Sequence, residues 1–167
     1  NRRVLAEAGP SIERFLTSGV TELKEKLGPI NWQFMATKKF DPDDFEAFLK
    51  LLPKQVDGHT IRHAVEVRHD SFKAPDFIDL ARGYGVCVIF ADSPDFPSIA
   101  DVTAPFVYAR LQNASETEEF GYGKAALDAW AKRAKAWAEG GAPADLKAVG
   151  KPEAKPPTGR EVFVYMI

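Results

Sequence analysis

The sequence contains little that would place the protein in a membrane, outside the cell or on nucleic acid. It has one cysteine, Cys87, among 167 residues, so it cannot form an internal disulfide, and we expect a cytoplasmic protein. It has no run of about 18 apolar residues, so neither a transmembrane helix nor a membrane partner is expected. The formal net charge is −2, which gives no general attraction to nucleic acid.

The composition of the chain is that of a globular domain. Apolar residues make up 45% of it and charged residues 28%, which suffices for a core and a solvated surface. We therefore expect a single domain over residues 1–167. Within it, residues 142–160 are rich in proline, lysine, alanine and glycine without periodicity, which predicts a mobile loop insertion. The basic residues of this insertion are not interleaved with aromatic residues, which does not favour a nucleic-acid partner.

Helical and strand patterns alternate along the chain. Apolar residues three or four apart predict helices, and short runs of valine, isoleucine, phenylalanine and tyrosine predict strands. Asp41 followed by Pro42 is typical of the start of a helix, and Pro53 of its end. The predicted helices cover 11–27, 42–52, 74–84 and 125–139, and the predicted strands cover 30–35, 64–68, 86–91, 106–111 and 162–167.

Strands that alternate with helices predict an α/β fold with parallel pairing. Each strand–helix unit takes about 31 residues in a (β/α)8 barrel, so the units of this chain match five-eighths of such a barrel. A small doubly wound sheet, complete in itself, fits the same numbers. Both folds place ligand sites at the carboxyl ends of their strands.

Polar and charged residues recur near those carboxyl ends. Because successive side chains alternate across a strand, Glu66 and Arg68 share one face, and Tyr108 shares a face with Arg110. Burying such charges without partners would be very costly, so they must pair, or meet water or a ligand. The polar residues on the predicted strands are Gln33, Glu66, Arg68, Asp92, Tyr108 and Arg110.

Two interpretations of these residues stay open. They form a structural ion-pair network, or they form a ligand site. In a ligand site, Arg68 and Arg110 would present planar guanidinium groups to a carboxylate or a phosphate. Gln33 and Tyr108 would complete the surface that binds the substrate.

Proton transfer in such a site would fall to Glu66, Asp92 and His69. These same residues are the candidates for a metal site. His59 and His63 are four residues apart, a spacing that brings zinc ligands together on a helix but not where the chain enters a strand. We predict no metal site, and the sequence indicates no cofactor.

Several segments of the chain, taken in order, match one family. The segment His63–Phe72, which reads HAVEVRHDSF, resembles the signature of the YecE-like family, also called domain of unknown function 72. That family most often has tryptophan where Phe72 stands. Further matches are Leu27 to Gln33, Ala91 to Pro94 and Phe106 to Leu111.

The resemblance implies a TIM-like barrel, of which this chain would supply roughly strands four to eight with their helices. The other strands would come from a missing N-terminal segment or from a partner chain. The resemblance also implies that no biochemical activity is established for the family.

These observations lead to one functional hypothesis and two alternatives. We expect an enzyme that acts on a small anionic substrate, phosphorylated or carboxylated, by acid–base chemistry at the carboxyl ends of the strands. One alternative is a binding module that holds an anionic ligand without turnover. The other is a metal-dependent hydrolase.

Overall fold

The computed structural model of the protein describes residues 4–152 and 159–167. In chain order, its α-helices are α1 (Gly9–Leu16), α2 (Pro42–Lys50), α3 (Pro75–Tyr84) and α4 (Lys124–Ala138). Its strands are β1 (Ile30–Gln33), β2 (Gln55–Val56), β3 (His59–Thr60), β4 (His63–Glu66), β5 (Cys87–Val88), β6 (Phe90–Asp92), β7 (Phe106–Leu111) and β8 (Glu161–Met166). Short 3-10 helices cover Leu5–Glu7, Val20–Lys26 and Asp70–Phe72.

The strands form three small sheets. One parallel sheet has the order β1–β4–β5, and a second has the order β6–β7–β8. The third is the short antiparallel hairpin of β2 and β3, which the sequence did not predict. The α/β class and the parallel pairing of the main strands are therefore confirmed.

The predicted TIM-like barrel is wrong, because no sheet in the described residues closes on itself. Strand β1 pairs with β4 alone, and strand β8 pairs with β7 alone, so each is an edge strand. The predicted third strand is also divided at Ile89. Its first part pairs with β4 and its second part with β7, so one run of chain serves both sheets.

The predictions for α2, α3 and α4 are confirmed to within a few residues. At the start of α2, the Asp41 carboxylate accepts a hydrogen bond from the backbone N–H of Asp44 at 3.0 Å, and Pro42 occupies the first turn. Helix α3 ends at Gly85, whose φ of +68° lies in the left-handed region that favours glycine.

The single helix predicted over residues 11–27 is wrong. Helix α1 ends at Leu16, and Gly19 then adopts a φ of +96°, which no residue inside a right-handed helix has. The hydroxyl of Ser18 donates to the carbonyl of Phe15 at 2.6 Å and helps to terminate the helix. The chain continues as a 3-10 helix with a kink at Lys24.

The helices cover one face of the sheets. Four phenylalanine rings pack edge to face between the first sheet and its helices: Phe34, Phe45, Phe72 and Phe77. Phe90, Trp130 and Trp137 form the core between the second sheet and α4. The opposite face of the sheets carries small residues such as Ala64 and Cys87 beside the larger rings of Phe106 and Phe163, and this face holds the polar group described below.

The segment that follows α4 is attached to the rest of the molecule at several points. The buried carboxylate of Asp101 accepts hydrogen bonds from the backbone N–H groups of Val149 at 2.6 Å and Gly150 at 2.8 Å. Arg133 binds the carboxylate of Asp145 through two nitrogens. Residues 153–158 of the predicted mobile insertion lie outside the described residues.

None of the helices in the described ranges has both the length and the apolar character needed to cross a membrane.

Candidate anion-binding site

Glu66 is the centre of the polar group on the face of the sheets away from the helices. It is the last residue of β4, and the parallel register places it beside Gln33 of β1. Arg110 lies near the end of β7, with its side chain on the same face as Glu66. Because parallel strands end at the same edge of a sheet, residues far apart in the sequence meet there.

The Glu66 carboxylate is fully buried and binds two arginines. Its Oε1 atom accepts hydrogen bonds from Arg68 Nε at 2.8 Å and from Arg68 Nη2 at 2.7 Å. Its Oε2 atom accepts from Arg110 Nη1 and, at 3.4 Å, from Asn31 Nδ2. Both carboxylate oxygens are therefore occupied by donors of the protein itself.

These contacts keep Glu66 ionised. Burial opposes the charged form, but hydrogen bonds from Arg110 and Arg68 outweigh burial and hold the pKa of Glu66 below its ordinary value. A carboxylate in this state is a weak base, and it cannot donate a proton at neutral pH. Its geometry suits the positioning of the two guanidinium groups.

The two arginines are oriented, and neither is fully enclosed. The guanidinium of Arg68 lies over the Phe96 ring, 4.3 Å from its centroid, and Arg110 Nη1 also donates to Gln33 Oε1 at 3.2 Å. The side chains of Arg68 and Arg110 are 22% and 19% exposed. With one carboxylate between two guanidinium groups, the cluster carries an excess of one positive charge.

Two tyrosines lie beside the arginines. Tyr108 precedes Arg110 by two residues and shares its face of β7, and the ring of Tyr165 stacks on that of Tyr108 at 5.0 Å and 25°. Burial raises the pKa of Tyr108, so its hydroxyl is protonated at neutral pH. Sequence reasoning missed Tyr165 and Phe96, although the alternation in β8 places Tyr165 on this face.

Asp92 does not join this group. It pairs in register with Leu111, whereas Ala91 pairs with Arg110, so the Asp92 side chain lies on the opposite face of the sheet. There its carboxylate accepts hydrogen bonds from Asn113 Nδ2 at 2.9 Å and from the Tyr122 hydroxyl at 3.4 Å. It lines a separate open cleft of about 390 Å³.

His69 is also separate from the arginine cluster. Its Nδ1 atom accepts a hydrogen bond from the backbone N–H of Ser71 at 3.1 Å and lies 2.9 Å from the Ser71 hydroxyl. The Ser71 hydroxyl in turn accepts from the backbone N–H of Phe40 at 2.8 Å. His69 therefore holds the turn after β4 in place.

The other titratable candidates make structural contacts. His63 is buried, accepts from Trp32 Nε1 at 3.1 Å and lies 2.8 Å from the Pro53 carbonyl, and burial lowers its pKa. Burial raises the pKa of Cys87 to about 12, so this thiol stays protonated. Across residues 4–152 and 159–167, no three histidine, cysteine, aspartate or glutamate side chains are grouped as metal ligands would be.

Comparison with known proteins identifies the family. The family described as "Protein of unknown function DUF72", which is the YecE-like family, matches residues 1–154. The chain belongs to the DUF72 family. No curated protein matches this DUF72 chain.

A solved DUF72 structure resembles the fold. It is the crystal structure of a DUF72 family protein from Enterococcus faecalis, with 16% sequence identity and a TM-score of 0.50. The match covers 70% of this chain and 44% of the Enterococcus chain, so our DUF72 chain spans less than half the length of that relative. At this identity the similarity shows the fold alone.

Proposed function

We propose that this DUF72 chain binds a small anionic ligand, phosphorylated or carboxylated, through Arg68 and Arg110. The observation that carries the proposal is that two guanidinium groups share one carboxylate at the carboxyl ends of the strands. Guanidinium forks match the geometry of carboxylate and phosphate oxygens, and the excess positive charge favours an anion.

The donors of the two arginines are only partly used. Each guanidinium has five N–H groups. Arg68 gives its Nε and Nη2 atoms to Glu66, and Arg110 gives its Nη1 atom to Glu66 and Gln33. The side chains of Arg68 and Arg110 are each about a fifth exposed, so the donors that remain can be reached by a ligand.

Isothermal titration calorimetry with inorganic phosphate and with succinate measures the affinity for each anion and tests the proposal. We expect Arg68→Ala to lower the affinity for the bound anion by at least about tenfold, since one charge-assisted fork is lost. Because Arg110 still pairs with Glu66 in this variant, we expect the far-ultraviolet circular dichroism to stay unchanged.

The matched control is Arg133→Ala. Arg133 also binds a carboxylate, that of Asp145, and also lies over an aromatic ring, that of Trp130, but it is remote from the cluster. If Arg68→Ala does not fold, Arg68→Lys keeps the charge and removes the fork. An unchanged affinity in Arg68→Lys, or no anion binding by the wild type, contradicts the proposal in favour of a structural network.

Tyr108 favours a second candidate, an enzyme that acts on the anionic ligand by acid–base chemistry. The hydroxyl of Tyr108 lies on a side chain that shares the face of Arg110, where it would donate a hydrogen bond, and during the reaction a proton, to a bound substrate. Roles of Glu66, Asp92 and His69 in proton transfer stay predictions, with Glu66 better suited to positioning. Nothing in the part of the chain that the structure describes favours a metal-dependent reaction.

Turnover of p-nitrophenyl phosphate by the wild type and by Tyr108→Phe tests the second candidate. An enzyme of this kind would lose turnover in Tyr108→Phe and keep its affinity for inorganic phosphate. Anion binding without turnover of any phosphorylated or carboxylated compound would leave the binding module as the function.

A further inference from the structure

We infer that the anionic ligand of this site carries a planar aromatic ring, which stacks on Tyr165. The inference rests on the proposed function, because it takes the anionic group of the ligand to be held by Arg68 and Arg110. It adds the chemical class of the rest of the ligand, an aryl or heteroaryl phosphate.

Tyr165 is a large aromatic residue that the structure leaves 46% exposed. Its ring is not loosely held, because it lies nearly parallel to Tyr108, with the ring centroids 5.0 Å apart and an angle of 25° between the planes. Tyr108 itself packs against Phe163, and both partly buried rings lie against the buried cluster that contains Phe106. A ring fixed on one side and accessible on the other is preorganised for a further ring.

Tyr165 lies next to the anion-binding groups. In the parallel register of β7 and β8, Tyr165 is the partner of Arg110, so the two side chains leave neighbouring strands at the same level and on the same face. A ligand whose anionic group contacts Arg110 would thus bring its adjoining atoms to the Tyr165 ring. Arg110 would thus bind the anionic end of one small molecule, and Tyr165 would bind its apolar end.

The neighbouring exposed residues on β8 provide a contrast. Val164 and Met166 are exposed as well, but the alternation of the strand places them on the other face, away from Arg110. A second protein that covered β8 would contact residues on both faces of the strand. A ligand bound at the arginines would engage Tyr165 alone, which makes the two explanations separable.

The test compares three phosphate monoesters that have the same charged group: methyl phosphate, cyclohexyl phosphate and phenyl phosphate. We expect the wild type to bind phenyl phosphate about tenfold more tightly than methyl phosphate, as aromatic stacking at a fixed ring provides. We expect cyclohexyl phosphate to bind nearly as weakly as methyl phosphate, because it is apolar but not planar.

Variants then locate the preference. Tyr165→Leu should bind methyl phosphate like the wild type and lose most of the preference for phenyl phosphate, whereas Tyr165→Phe should keep it. Val164→Ala, on the same strand and the other face, is the control and should change neither affinity.

Each contrary result overturns a definite statement. Equal binding of methyl and phenyl phosphate by the wild type overturns the aromatic ligand and leaves anion binding intact. The aromatic ligand is also overturned if Tyr165→Leu keeps the preference for phenyl phosphate. This holds as well if sedimentation shows that Tyr165→Leu changes the association of the protein while the preference stays. Failure of methyl phosphate and of the other two esters to bind removes the phosphate form of the proposed function, and this inference with it.

Discussion

Glu66 carries a buried negative charge, and Arg68 and Arg110 stabilise that charge. Each of its oxygens is held by an arginine, and hydrogen bonds from those arginines lower its pKa although burial acts in the opposite direction. Breaking a buried ion pair by removing one partner costs far more than breaking an exposed one, because a charge is left without compensation.

Replacing Glu66 with glutamine should therefore destabilise the protein strongly. The amide keeps the shape but not the charge, and it leaves Arg68 and Arg110 facing each other. We expect a loss of about 3 kcal/mol in the free energy of unfolding, measured by urea denaturation. The control is Glu161→Gln, which removes the carboxylate partner of Arg62 at a side chain that is 68% exposed and should cost less than about 1 kcal/mol.

The same variants predict a pH dependence. A carboxyl group whose pKa is lower in the folded state than in the unfolded state stabilises the fold above its unfolded pKa, here near 4.5, and this contribution is lost as the pH falls through the folded value. Stability of the wild type should thus fall more steeply below about pH 4.5 than that of Glu66→Gln. Parallel curves, or equal losses in Glu66→Gln and Glu161→Gln, would contradict the role assigned to Glu66.

At the residue scale, the sequence indicates the arginine cluster but not its full membership. The alternation in the predicted strands 64–68 and 106–111 places Glu66 beside Arg68 on one face, and Arg110 on one face of its own strand. Asp92 could not be assigned in the same way. Alternation says which residues of one strand share a face, whereas the register between strands decides which faces coincide, and that register pairs Asp92 with Leu111.

At the scale of elements, the sequence predicted the helix boundaries that depend on the residues at the boundary itself. Asp41 and Pro42 start α2 because a capping carboxylate and a proline suit the first turn wherever the helix packs. The end of α1 was missed because Gly19 lies within an apolar pattern that would also fit a continuous helix. Glycine adopts a positive φ readily, but the apolar residues on both sides of Gly19 continue the helical pattern and concealed that signal.

The division of the predicted third strand has a similar cause. Residues 86–91 form one apolar run, and nothing in their pattern marks a change of partner at Ile89. The change comes from the neighbouring strands, because β4 pairs with Cys87 and Val88 while β7 pairs with the residues from Phe90 onward. Pairing of this kind is a property of the assembled sheets.

At the scale of the molecule, the prediction of a barrel failed because closure depends on partners for the outermost strands. Strand–helix alternation indicates parallel strands, but it does not say whether the first and the last of them meet. In the structure, β1 and β8 are both edges. Strand β8 and the residue that follows it leave four large apolar residues exposed: Val164, Tyr165, Met166 and Ile167.

Unprotected edges predict that the 167-residue chain associates with itself, unless further strands or a partner chain cover β1 and β8. We expect sedimentation velocity to show species larger than a monomer, in an amount that grows with protein concentration. Val164→Lys should reduce this association, because a lysine on an edge strand opposes the addition of another strand.

Leu23→Lys is the matched control for that experiment. Leu23 is also exposed and apolar, but it lies in the 3-10 helix Val20–Lys26 rather than on an edge strand. Equal effects of the two lysines would point to general hydrophobic association, and a monomer at every concentration would contradict the prediction.

The pairing of Glu66 with two arginines also limits how this sequence can diverge. A single substitution at position 66 leaves two facing guanidinium groups, and a single loss of Arg68 or Arg110 leaves half of a buried carboxylate without its donor. Every single substitution that removes one of these three charges thus passes through a less stable protein. Descendants of this sequence should either retain all three residues or replace them together.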